Sequence, residues 1–165
     1  MFRIEWKGCI CMARSATETL VTQSVLDRLT QVEDWPATRN QSVRFFRDAL
    51  KRDLEWLLNT RKPPLPQLAS FPAARDSVIN FGLPDIGALG LMSSSDQRAL
   101  RIAIETCLRV FEPRLADVHV TLESSDTVDR RLRFHIEGNM KLDPAPEEIA
   151  FDTVLELASG EYKVK

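Results

Sequence analysis

The stretch Ser94-Ser95-Asp96-Gln97-Arg98-Ala99-Leu100-Arg101-Ile102-Ala103-Ile104-Glu105-Thr106-Cys107-Leu108-Arg109-Val110-Phe111-Glu112-Pro113-Arg114 decides the fold. Leu100, Ala103, Ile104, Cys107, Leu108 and Phe111 recur at three- and four-residue spacing, which places them on one face of a helix. Arg98, Arg101, Glu105 and Arg109 fall largely outside that face. Ser94 with Gln97 has the spacing of a reciprocal cap, so the helix is expected to begin near Ser95. Pro113 lacks an amide hydrogen and disfavours helical dihedrals at Glu112, so the helix must stop there and the chain must turn. Glu112 and Arg114 flank that corner, as a surface ion pair or as a C-terminal cap in which Arg114 reaches the last carbonyls.

Downstream of the corner the period changes from 3.6 to 2. Val118, Val120 and Leu122 alternate with Asp117, His119 and Thr121, and Leu132, Phe134, Ile136, Met140 and Leu142 alternate with polar residues. Ser124-Ser125-Asp126 is read as the turn between these strands, and Asp143-Pro144-Ala145-Pro146 ends the second. A third strand is expected over 150–157, with Ala158-Ser159-Gly160 turning into 161–164. Upstream lie helices: a short amphipathic one over 24–29, a polar loop around Asp34-Trp35-Pro36 and Arg39-Asn40-Gln41, and a long helix over 42–59. The long helix carries Val43, Phe46, Leu50, Leu54, Leu57 and Leu58 on one face. Asn59 suits a left-handed exit position before Pro63-Pro64, and Trp56 is read at the edge of the core, with an interface anchor as the alternative. The apolar residues of 77–85 are expected to cover one end of the core. Helices first and an antiparallel sheet last make an α+β fold, with the helices on one sheet face.

At 165 residues the chain suits one domain, expected over 24–165 behind a loosely ordered arm over 1–23. Its 22 lysines and arginines nearly balance 24 acids, so no net field draws in nucleic acid or an anionic membrane. Cys9, Cys11 and Cys107 are an odd set, with Cys107 on an apolar stripe, which suits free thiols in a reducing, cytoplasmic setting. There is no run long and apolar enough to span a membrane.

The sequence offers little chemistry. Glu112 with Asp117 is a conceivable glycosidase pair, but Arg114 favours the ionised form of Glu112, the opposite of what a general acid needs. His119 and His135 fall on polar strand faces, and Cys9-x-Cys11 has no second ligand pair at zinc spacing. Gly82, Gly87 and Gly90 lack the spacing and lysine of a phosphate loop, and no GxSxG elbow occurs. No cofactor, metal or catalytic residue is assigned.

In order along the chain, residues 24–29, 53–61, 77–85, 111–115, 151–156 and 160–162 resemble the TssE family of type VI secretion baseplate subunits, the lysozyme-like baseplate wedge proteins shared with contractile-tailed phages. The resemblance implies a structural subunit rather than an enzyme, despite the lysozyme-like label. The family's Glu-Pro-Arg motif, associated with holding the helical bundle of neighbouring wedge subunits, falls on Glu112, Pro113 and Arg114. The resemblance further implies a sheet like the handshake part of a sheath subunit, templating the first sheath ring. The expected partners are TssF, TssG and TssK in the wedge and TssB and TssC in the sheath, in the cytoplasm at an inner-membrane-docked baseplate. Strand addition is expected at the terminal hairpin, with Phe151, Leu155 and Leu157 anchoring it and Tyr162, Lys163 and Val164 offering the edge. A peptidoglycan glycosidase and a free-standing peptide-binding module are the alternatives.

Overall fold

The computed structural model describes residues 20–30, 36–85, 93–126, 131–156 and 159–165. Among the described residues four α-helices, α1 (Val25–Thr30), α2 (Arg39–Asn59), α3 (Pro72–Arg75) and α4 (Ser94–Phe111), precede four strands, β1 (Leu115–Asp126), β2 (Arg131–Met140), β3 (Glu147–Glu156) and β4 (Glu161–Val164). Two 3-10 turns, Pro66–Ser70 and Val78–Asn80, flank α3. The strands form one antiparallel meander in the order β1-β2-β3-β4. The α+β architecture is therefore as expected from the change of period. No described helix is long and apolar enough to cross a membrane.

The core lies between the inner sheet face and the stripes of α2 and α4. Leu50, Leu54 and Leu58 of α2, Leu100, Ile104 and Leu108 of α4, and Val120, Phe134, Ile136, Leu155 and Tyr162 of the sheet belong to one buried cluster. β2 alternates buried Leu132, Phe134 and Ile136 with outward Arg131, Arg133 and Glu137, as a strand with one wet face must. The β1–β2 register shifts between Ala116 and His119 and again between Leu122 and Ser124; at the first bulge Asp117 and Val118 face the single residue Gly138, and Asp117 takes a φ of 51°. A side chain at Gly138 would crowd the Ala116 carbonyl oxygen at 3.2 Å.

Several boundaries differ from expectation. α2 begins at Arg39, because Thr38 accepts from the Gln41 amide while the Gln41 side chain accepts from the Thr38 amide. Arg39-Asn40-Gln41 are thus the first turn of α2, not a loop. α4 starts at Ser94 without any side-chain cap from its N-cap, Ser93. Asn59 is helical, and the exit residue Thr60 is extended at φ −81°, so no left-handed position is used. β1 continues through Ser124, Ser125 and Asp126, and Asp126 pairs with Arg131. The turn itself lies outside the described residues.

Burial differs as well. Phe81 and Leu83 do cover the core's end, but Val78 is 83% exposed and Ile79 stays exposed with it. Trp56 is 54% exposed, with the Arg52 guanidinium 5.0 Å from its ring centre. α1 is amphipathic in an unexpected sense, since it buries Asp27 and exposes Val25 and Leu29. The expected arm over 1–23 is described only from Leu20 onward, where the Val21 amide donates to Ser42 Oγ. Cys9, Cys11, Gly87, Gly90 and Leu157 lie outside the described residues.

Candidate functional site

α4 ends at Phe111, and Glu112 caps it with an extended-leaning backbone (φ −120°, ψ 76°) whose amide still donates to the Leu108 carbonyl. That geometry turns the Glu112 side chain inward, where it is only 4% exposed. Arg114 follows it in: its Nε donates to Glu112 Oε1 at 2.6 Å and its Nη2 to Oε2 at 2.6 Å. The fork-to-fork pairing is the strongest geometry available to a guanidinium and a carboxylate. The corner is therefore not a solvated surface pair. Pro113 stays exposed on the outside of the turn, and its carbonyl accepts from Lys141 Nζ at 2.8 Å.

The pair belongs to a longer chain of alternating charge. Arg114 Nη2 also donates to Asp53 Oδ2 at 2.8 Å, and Asp53 Oδ1 accepts from Arg52 Nε and Nη2. Arg52 Nη1 then reaches Asp27 Oδ1 at 2.6 Å, and Ser24 Oγ donates to Asp27 Oδ2 at 2.6 Å. Three carboxylates and two guanidiniums thus tie the α4–β1 corner to the flank of α2 and, through it, to α1. The Arg52 hydrogen bond holds the Asp27 carboxyl below its usual range against the opposing effect of burial. The hydrogen bond from Arg114 to Glu112 raises the Arg114 value in the same way. Arg114 also lies over the Phe46 ring, 5.7 Å from its centre.

The sequence points to Glu112 and Arg114 but not to Asp53, Arg52 or Asp27, which lie far away in the chain. The signals available were slight: an adjacent Arg-Asp pair beside the α2 core stripe, and Ser24 three residues before Asp27 in cap spacing. Chemically the arrangement is a brace. Both oxygens of Glu112 accept from the Arg114 guanidinium, and Oε1 also accepts from the Arg114 amide. Asp117, its conceivable partner, accepts from Asn139 at the bulge instead.

At the far edge of the sheet, Phe151, Leu155, Tyr162 and Val164 are buried on the inner face, so their side chains anchor the hairpin. The Lys163 side chain faces out. The Tyr162 amide donates to Asn59 Oδ1 at 2.8 Å, and the Tyr162 carbonyl accepts from Asn59 Nδ2 at 2.9 Å. These groups therefore point away from β3, and by alternation those of Val164 point outward too while Lys163 pairs inward with Val154. Arg61 Nη2 donates to the Gly160 carbonyl beside them at 2.6 Å. The end of α2 thus already covers part of the edge.

Other titratable groups lie apart from both places. On the open sheet face His135, Asp152 and Glu123 bring possible ligand atoms within 4.8 Å of one another. His135 Nδ1 is already 2.7 Å from Asp152, a contact that raises the histidine above its ordinary value. His119 is exposed near Glu105. The Cys107 thiol is buried, donates to the Gly82 carbonyl and is pushed up to about 11 by desolvation.

The model of a family described as baseplate wedge protein gp25 matches residues 45–145, more than half of the chain. A solved structure described as "The baseplate complex from the type VI secretion system" is similar at 17% identity and a TM-score of 0.44, covering 70% of this chain and 94% of that chain. No curated protein matches.

Proposed function

The chain belongs to the baseplate wedge protein gp25 family, and on that premise we propose that it is a structural, non-enzymatic subunit of a type VI secretion baseplate. The observation that carries this reading is the family match over 45–145, which contains α2 from its second turn, the braced corner and the first two strands. Glu112-Pro113-Arg114 holds the helical bundle of the neighbouring wedge subunits TssF and TssG, with TssK in the same wedge. Within the motif the roles divide. Glu112 is buried and aims, whereas Arg114, with its side chain 25% exposed, makes the contact.

The sheet serves the sheath subunits TssB and TssC at the terminal hairpin. An incoming strand first meets the outward backbone of Val164 and then displaces Asn59 from Tyr162, which keeps the edge closed until a sheath segment arrives. The subunit acts in the cytoplasm, at the baseplate docked on the inner membrane.

The test is purification of the tagged chain from cells, with co-purification of the other wedge subunits as the expected result. Purified chain is expected to leave a peptidoglycan suspension turbid. Clearance that vanishes in Glu112→Gln would overturn the structural reading in favour of a glycosidase. For the sheath contact, Val164→Pro removes one outward amide. Folded variant protein is expected to give fewer fluorescent sheaths with intact wedges, and normal sheath numbers would move the sheath contact elsewhere.

A further inference from the structure

Beside the braced corner a cavity of about 180 Å³ opens between residues 23–27 and α2, lined among others by Gln23, Asp27, Asp48, Ala49, Arg52 and Arg114. Two hydrogen-bond donors around it are unspent. Gln23 Nε2 is buried and has no hydrogen-bond partner among the described residues. Arg114 spends its Nε and Nη2 on Glu112 and Asp53, and no hydrogen bond from its Nη1 is present among the described residues. Buried polar groups are nearly always paired, because a donor removed from water and given nothing in return costs stability. A buried donor left unpaired beside a cavity calls for an acceptor that the described residues do not supply.

Charge narrows the identity of that acceptor. Asp27, Asp53 and Glu112 outnumber Arg52 and Arg114, and Asp48 adds a further carboxylate to the lining. An incoming carboxylate would meet this excess of negative charge. An incoming lysine or arginine would set donors against donors. A neutral carbonyl oxygen avoids both penalties. The space, several times the roughly 30 Å³ share of one water molecule, admits one carboxamide or peptide group and excludes a whole helix.

We propose that this cavity is a socket for one neutral carbonyl oxygen of the neighbouring wedge subunit, received by Gln23 Nε2 and by an Arg114 held in place through Asp53, Arg52 and Asp27. The proposal rests on the wedge-contact reading given above and deepens it. It makes the segment ahead of α1 part of the contact, although Gln23 lies outside the matched stretch 45–145.

The experiment measures the affinity of purified full-length chain for the purified neighbouring wedge subcomplex, with a thermal melt of every variant. Gln23→Met keeps the shape and removes the donor, and about tenfold weaker binding, the size of one ordinary hydrogen bond, is expected at a midpoint equal to or above that of the wild type. Ala49→Leu fills the socket from a helical position that favours leucine. It is expected to weaken binding by more than Gln23→Met does, without lowering the midpoint. Arg114→Ala is the reference for the corner itself, replaced by Arg114→Lys, which keeps the charge without the fork, where alanine fails to fold. Wild-type affinity in both Gln23→Met and Ala49→Leu, with release of the subcomplex by the Arg114 variant, would overturn the socket and leave the corner reading standing. Wild-type affinity in the Arg114 variant would overturn the corner reading itself.

Discussion

α2 grips the rest of the chain at two places by different means. At its middle, Arg52 and Asp53 join a run of charges from Asp27 to Glu112. At its end, the single carboxamide of Asn59 holds both backbone groups of Tyr162. The charged grip has buried carboxylates at both ends, Glu112 and Asp27. Each is tolerable only while its guanidinium is present, because an unpaired buried charge costs far more than the pair contributes. The neutral grip depends on no such balance. Its loss costs a few hydrogen bonds and opens a strand edge. The first grip is thus built from mutually dependent charges, and the second, on α2's side, from one neutral amide.

The largest expected effect would break the charged grip. Arg114→Ala strands Glu112 and Asp53, and a loss of about 3 kcal/mol is expected, at the low end for a broken buried pair because Arg114 is partly exposed. In a thermal melt that corresponds to a fall of roughly 6–12 °C for a chain of this size. A fall of only a degree or two would show the corner to be an ordinary surface pair, as sequence alone allowed.

Asp27→Asn is expected to cost about 2 kcal/mol at neutral pH, since it removes a charged acceptor from Arg52 while Asp53 still holds that guanidinium. The sign of its pH dependence follows from the depressed Asp27 carboxyl. A carboxyl that binds its proton less readily when folded contributes its stability above the unfolded value near 3.9. That contribution is lost as pH falls through the lower, folded value. Urea midpoints below about pH 4 should therefore converge between wild type and Asp27→Asn. A gap that persists unchanged at the lowest pH would assign Asp27 a packing role instead.

The neutral grip should yield less. Asn59→Ala is expected to cost about 1 kcal/mol and to raise the tendency of the folded protein to self-associate through β4, measured by light scattering. Combined with Asp27→Asn its cost should add to within about 0.5 kcal/mol, as for sites that share no partner. Arg52→Ala with Arg114→Ala should deviate from additivity, because both hold Asp53. Additivity in that second pair would dissolve the distinction between the two grips.

The smallest effect has the opposite sign. The Tyr162 hydroxyl is buried without a hydrogen-bond partner among the described residues, and desolvation raises the value of the group well above its ordinary one. Tyr162→Phe removes only that orphan oxygen, so a gain of up to about 1 kcal/mol is expected from the melt. A loss would reveal a partner for the hydroxyl in solution.

The chain's own pattern was enough to read α1, α2, α4, the antiparallel strands and the position of the corner, though not α3. Hydrophobic spacing is local, and the stripe of Leu100, Ile104 and Leu108 or the alternation of Leu132, Phe134 and Ile136 leaves only one way to hide apolar surface. Pro113 likewise ends a helix wherever it stands. What surrounds the corner was decided by tertiary structure. Asp53 and Asp27 carry no period that marks them as partners of Arg114 and Arg52, and an ion pair between distant residues is fixed only when packing brings the elements together. The same holds for Asn59, whose sequence context suggested a turn and whose carboxamide instead closes the sheet, and for Val78, apolar yet exposed. Local sequence sets which elements form and which face is apolar. Which charge meets which, and which apolar residue is left uncovered, depends on how those elements dock, because these contacts join residues with no local relation in the chain.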